Sequence, residues 1–200
     1  TRLPSLTTPS NTTFTSIIDR VTKVHTYSNC KIGRAVFHGQ RGSQPIALTM
    51  QILGTTMSEG AAGSFSATAI DTDIAYAFHE GVLTLGGTGM AFDRHQLVID
   101  PHLQVQWNNS STATEICPTD REITLSVNTP YTSSESTLFT TPLSSAAGIA
   151  ASIAWTRSGQ STSIALANIK SIARPPSIPG KTEIRLPLTY RAYRSGSTSA

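Results

Sequence analysis

The chain has 200 residues, a formal net charge of +3 and only 14% charged side chains. That excludes a charge-rich disordered chain, and it leaves too sparse a basic set for a nucleic-acid binder with interleaved aromatics. Serine and threonine fill the gap, 25 and 29 residues respectively, and this bias favours strands joined by many turns.

No apolar run reaches the length needed to cross a bilayer as a helix, and no signal peptide is visible. Charge is unevenly spread. Residues 1–41 hold six basic and one acidic side chain, residues 42–156 two and ten, and residues 157–200 seven and one. The arginines are single and spaced along strands, so they read as solvated faces.

In chain order, TRLPSLTTPSNTTFT (1–15) has no period and two prolines, and reads as an extended N-terminal arm. SIIDRVTKVHTY (16–27) is ambiguous: Ile17, Ile18, Val21 and Val24 fit a helical face, whereas the β-branched content fits a strand. From Gly33 the strand pattern dominates. GRAVFH is followed by a turn cluster, and IALTMQIL (46–53) places Ile46, Leu48, Met50 and Ile52 on one face. FSATAI (65–70) is the next strand. In IDTDIAYAFHEGVLTLGG (70–87) the spacing predicts strand, glycine turn, strand, which is a hairpin. His79 and Glu80 are adjacent there. They would diverge rather than converge on one proton, so they read as solvated turn residues and not as an acid/base pair. LGGTGMAF (85–92) reads as a turn or bulge rather than a nucleotide cradle.

LQVQW (103–107), EITLSVN (122–128), STLFT (136–140), GIAASIAW (148–155) and STSIALANIKSIA (161–173) follow as strands. RPPSIPG forms a proline loop. TEIRLPLTYRAY (182–193) closes the body with Ile184, Leu186, Leu188 and Tyr190 on one face, and Pro187 belongs at an edge or bulge. SGSTSA has linker composition. Ten or so short strands with no secure helix predict an all-β sandwich spanning residues 16–193, followed by a flexible tail at 194–200.

Chemistry is sparse. No nucleophile elbow, zinc-protease motif or phosphate loop occurs. The five histidines stand without a second ligand at metal spacing. No catalytic residue, metal site or cofactor is expected, and the chain reads as a non-enzyme. Cys30 and Cys117 are read as one disulfide, from the pair count and a composition typical of oxidising compartments. Its long loop would contribute roughly 4 kcal/mol on the chain-entropy model. Trp107 with Asn108 and Asn109 offers an aromatic face beside amides, the pairing that suits a sugar ring and its hydroxyls.

Three segments carry a family resemblance: DTDIAYAFHEGVLTLGG, CPTDREITLSVNTP and NIKSIARPPSIPGKTEIRLPLTY. Together they resemble the lectin-like receptor-binding domains of two-domain tip adhesins from bacterial chaperone–usher fimbriae. The resemblance implies an elongated immunoglobulin-like β-sandwich; the alternative, a jelly-roll, goes with the rival class below. It implies attachment to a host-cell glycan or glycoprotein receptor at an extracellular fimbrial tip. The partners would be a following pilin domain and a fimbrial chaperone and usher, without nucleic acid and without membrane insertion. The polar loop Thr119, Asp120 and Arg121 would contact the ligand, with Trp107, Asn108 and Asn109 nearby. The rival class is a viral coat or spike β-sandwich domain, since serine- and threonine-rich, low-charge β chains of this size suit it too.

Overall fold

The computed structural model describes residues 13–42, 45–63, 74–130, 148–172 and 185–193. The strands expected at 65–70 and 136–140, the proline loop at 174–180, residues 1–12 of the arm and the 194–200 tail lie outside them. The elements are strands β1 (Phe14–Asp19), β2 (Lys23–Gln40), β3 (Ala47–Leu53), β4 (Thr56–Ala61), β5 (Gly81–Leu85), β6 (Thr88–Met90), β7 (Arg94–Asp100), β8 (Leu103–Gln106), β9 (Glu115–Pro118), β10 (Glu122–Pro130), β11 (Ile149–Arg157), β12 (Gln160–Ser171) and β13 (Arg185–Ala192). One turn of 3-10 helix, Phe78–Glu80, precedes β5. The described residues are all-β, as the composition predicts, and the strands pair antiparallel.

Two compact units divide the chain. The first contains residues 1–35, 50–73 and 100–121, and the second residues 36–49, 74–99 and 122–200. In the second, hydrogen-bonded neighbours run from the end of β2 through β7, β10, β13, β12, β11 and β5 to β6. Alternation builds its core. Leu125, Val127 and Thr129 of β10 face Tyr190, Leu188 and Leu186 of β13 in register, and all six are buried. On the other half, Ala151 and Ile153 of β11 pair with Leu85 and Leu83 of β5. These residues join Leu97, Trp155 and Ile169 in one apolar cluster. Strands at both ends of one sheet feed a single core only when the sheet folds over its own inner face, which is the sandwich arrangement. The expected inward face of the last strand is found at Leu186, Leu188 and Tyr190, each fully buried. Pro187 pairs with Asn128 of β10. β12 reaches β13 only at Tyr190 to Ala192, so among the described residues Pro187 has a neighbouring strand on one side alone.

The expected hairpin ending at His79–Glu80 is not the one that forms. Residues 74–77 are not a strand, and the hairpin lies one strand later, β5 with β6. Gly86 and Gly87 turn it with φ of 57° and 84°, the two positive values that a two-residue hairpin turn needs. Of LGGTGMAF, read as a turn or bulge, only Gly86 and Gly87 form the turn, and Thr88–Met90 continue as strand β6.

In the first unit, β2 pairs with β1 on one side and β4 on the other. The ambiguity at 16–27 resolves as a hairpin. Its tip is Val21, at φ 65° and 87% exposed, with the Val21 N–H donating to Asp19 Oδ1 at 2.9 Å. A β-branched residue in that conformation gives no turn signal in sequence, which is why the break was not legible. β8 and β9 form a separate two-stranded sheet.

Candidate functional site

The six residues expected to bind ligand all lie on or beside the β8–β9 ribbon, but the ribbon separates them into two groups. Its register pairs Leu103 with Pro118 at one end and Gln106 with Glu115 at the other. Trp107, Asn108 and Asn109 therefore sit at the tip, and Thr119, Asp120 and Arg121 at the base. At roughly 3.4 Å per residue, four residues of strand lie between them. At the tip, Asn108 and Asn109 take positive φ, Ser110 N–H donates to the Trp107 carbonyl at 2.7 Å, and the indole is 55% exposed. At the base, Thr119 Oγ1 donates to the His102 carbonyl at 2.8 Å. Asp120 Oδ1 accepts the Arg121 N–H at 2.7 Å, so that oxygen is engaged in the chain's own turn.

Both cysteines are free thiols, so the expected Cys30–Cys117 bond is absent. The reason is directional. Lys31 is buried and its Nζ donates to the Ile116 carbonyl at 2.6 Å, so Lys31 is the residue that points toward β9. Cys30, its neighbour in β2, points the other way: its Sγ lies 3.3 Å from the Tyr27 carbonyl and close against Gly54. Burial and the adjacent Glu115 carboxylate raise the Cys117 thiol above its ordinary range.

Glu80 is no solvated turn residue. Arg157 of β11 grips both its oxygens, Nε to Oε1 at 2.5 Å and Nη2 to Oε2 at 2.7 Å. Glu80 Oε2 also accepts the Ala77 N–H at 2.8 Å. The guanidinium first, then that backbone donor, hold the carboxyl below the usual carboxylate value. His79 points outward, so the pair diverges and forms no acid/base couple. A second pair joins Arg185 of β13 to Asp93, whose Oδ2 also accepts from Asn128 Nδ2 at 3.5 Å. Arg157 and Arg185 thus do structural work in place of the solvated role read for them. No spacing rule could find these pairs, because their partners are 77 and 92 residues distant.

His95 of β7 is fully buried, and among the described residues neither ring nitrogen has a hydrogen-bond partner. Phe78 stacks on it at 6.0 Å, Phe92 meets it edge-on at 5.7 Å and Trp155 is tilted at 5.6 Å. A β-carbon added at Gly39 would lie 2.6 Å from His95 Cε1, so β2 runs directly against the ring. Burial first, then His38, push His95 down to about 4. Among the described residues the ring is packed by aromatic side chains and no acid or nucleophile is hydrogen-bonded to it. Among the described residues no three histidine, cysteine, aspartate or glutamate side chains gather as metal ligands.

The outer side of β7, β10 and β13 carries a groove of about 410 Å³ lined by Arg94, Gln96, Ser126, Asn128 and Thr189. Its polar side chains are amides and hydroxyls with one cation, a set that cannot move a proton. Elsewhere the unusual feature is apolar. Leu48, Met50 and Ile52, expected on one face of β3, are 46%, 47% and 41% exposed. Phe14, Ile17, Ile18, Ile32 and Met57 are also exposed on β1, β2 and β4.

These surfaces suit packing rather than chemistry, and comparison with known proteins agrees. None of the curated proteins compared matches the chain. The family model described as "phage tail tube protein" matches residues 1–192. That match overturns the fimbrial reading: the tip-adhesin family, the glycan or glycoprotein receptor, the pilin, chaperone and usher partners and the fimbrial-tip location all fall with it. Two of the three segments that carried the resemblance also fail structurally, since the first forms a different hairpin and the second lacks its disulfide. The rival class, a viral structural β domain, is the one the match favours. Matched over nearly its whole length, the chain belongs to the phage tail tube protein family.

Proposed function

We propose that this chain is a repeating structural subunit of a phage tail tube, a component of the virion that assembles with further copies of itself and with other tail proteins. The observation that carries this is the family match over residues 1–192. The physical character of the chain supports it. A 21.3 kDa chain makes a tube only by repetition, through contacts that close into rings or propagate as a helix. Large apolar residues left in water on several strands are the surface such contacts need. On this reading the protein is not an enzyme. Among the described residues, the groove's amides, hydroxyls and single cation and the buried His95 offer no couple for acid/base or nucleophilic work.

The test is assembly. Purified full-length chain, concentrated stepwise and viewed by negative-stain electron microscopy, is expected to form tubes of uniform diameter. A chain that stays monomeric at every concentration and ionic strength would count against the reading.

A further inference from the structure

We propose that the face formed by Ile32 of β2 with Met50 and Ile52 of β3 packs against a second copy of this chain, an inference that rests on the tube reading above. The two strands set the face by alternation. A β-carbon added at Gly33 would lie 3.4 Å from Leu53 Cδ1, so Gly33 and Leu53 share one side. Their neighbours Ile32, Arg34 and Ile52, with Met50 two residues further along, share the opposite side. That opposite side is in water: Ile32 is 41% exposed, Met50 47% and Ile52 41%.

Such a strand is unusual as a permanent surface. Among the described strands β3 pairs only with β2, and ALTMQIL contains no charged residue and no proline. Natural proteins guard open strands with lysine, proline or short length, and β3 has seven residues and none of those guards. Cover by a partner removes the need for them. Charge selects the partner. A nucleic acid calls for clustered cations, and among the described residues this face carries Arg34 alone. The centre of a protein–protein interface is instead depleted of charge and rich in large apolar side chains such as methionine. In a tube of identical subunits every copy must offer a face and receive another, and this face meets that requirement.

The experiment uses the full chain. A photo-crosslinking phenylalanine analogue is placed at position 52, and isotopically light and heavy chains are mixed and irradiated. Cross-links joining a light to a heavy chain are expected, with yield rising with concentration. Cross-links confined within one chain would mean that the protein's own segments cover the face, and would overturn the proposal. In parallel, Met50→Asp and Ile52→Asp are compared with Gln104→Asp, an exposed position on β8. Both face variants should keep the wild-type circular dichroism and need about tenfold more protein to assemble, whereas the control should not shift. Tubes formed equally well by both face variants overturn this interface and leave the tube reading standing. Light–heavy cross-links in a chain that never forms tubes overturn the tube reading and leave the interface standing.

Discussion

His95 shows how one residue can be legible as a type and illegible as a role. In sequence it is one histidine among five without a metal-ligand spacing. In the fold it is fully buried among Phe78, Phe92 and Trp155, of which Trp155 comes from a strand 60 residues further along the chain. Its ordinary value is 6.5 and burial lowers it to about 4. Between those values the unfolded chain binds the proton and the folded chain does not, so this group's contribution falls as pH drops from 6.5 and levels off below 4. At roughly 1.4 kcal/mol per unit the loss is at most about 3.5 kcal/mol. Denaturant titrations at pH 7, 6, 5 and 4 should show this slope, and His95→Phe should flatten it. A wild-type slope unchanged in the variant would assign the effect elsewhere. Glu80 acts in a separate window, since its lowered value makes its contribution present above 4.5 and lost below. The two tryptophans offer a second test. Trp155 is 3% exposed and Trp107 55%, so Trp155→Ala should cost about 3–5 kcal/mol and Trp107→Ala within about 0.5 kcal/mol, read from chemical denaturation midpoints.

At the scale of elements, period-two alternation was sufficient for most strands. β10, β11 and β13 appear where EITLSVN, GIAASIAW and TEIRLPLTYRAY place them. The failures have particular causes. DIAYAF alternates like a strand, yet residues 74–77 extend without a ladder and Phe78–Glu80 turn as a 3-10 helix. Three bonds decide this locally: Arg157 on both Glu80 oxygens, and the Ala77 N–H on Oε2. Arg157 Nη1 also donates to the Ile74 carbonyl at 3.2 Å, so one side chain from β11 ties down both ends of the segment. Arg157→Leu should therefore speed amide exchange at Ala77 and Glu80 while leaving Val127 and Leu188, deep in the β10–β13 ladder, protected. Equal acceleration at all four sites would show a global loss instead of local release. In β3 alternation places Leu48, Met50 and Ile52 on one face, and that this apolar face stays in water is something alternation alone does not specify.

At the scale of the whole molecule, nothing cross-links the chain. Both thiols are free, so the thermal unfolding midpoint should be the same with and without reductant. Intact mass without reductant should show two alkylatable cysteines. Cys117, half-exposed, should react in the native state, and buried Cys30 only after unfolding. A midpoint that drops with reductant would restore the bond. The amino-acid sequence by itself determined the all-β class and the apolar face of the last strand. Composition and period two are local properties, and strands obey them wherever they lie. It also carried the family match, although reading three short segments led to a different family, because hairpins and closing strands recur across unrelated β proteins. Only the tertiary structure decided which thiols meet, which arginines are paired and which apolar faces stay in water. Each of these depends on the direction of a side chain relative to strands tens of residues away. No local period encodes that direction, and a single bulge or turn, such as Asn29 at φ 51° just before Cys30, is enough to reverse it.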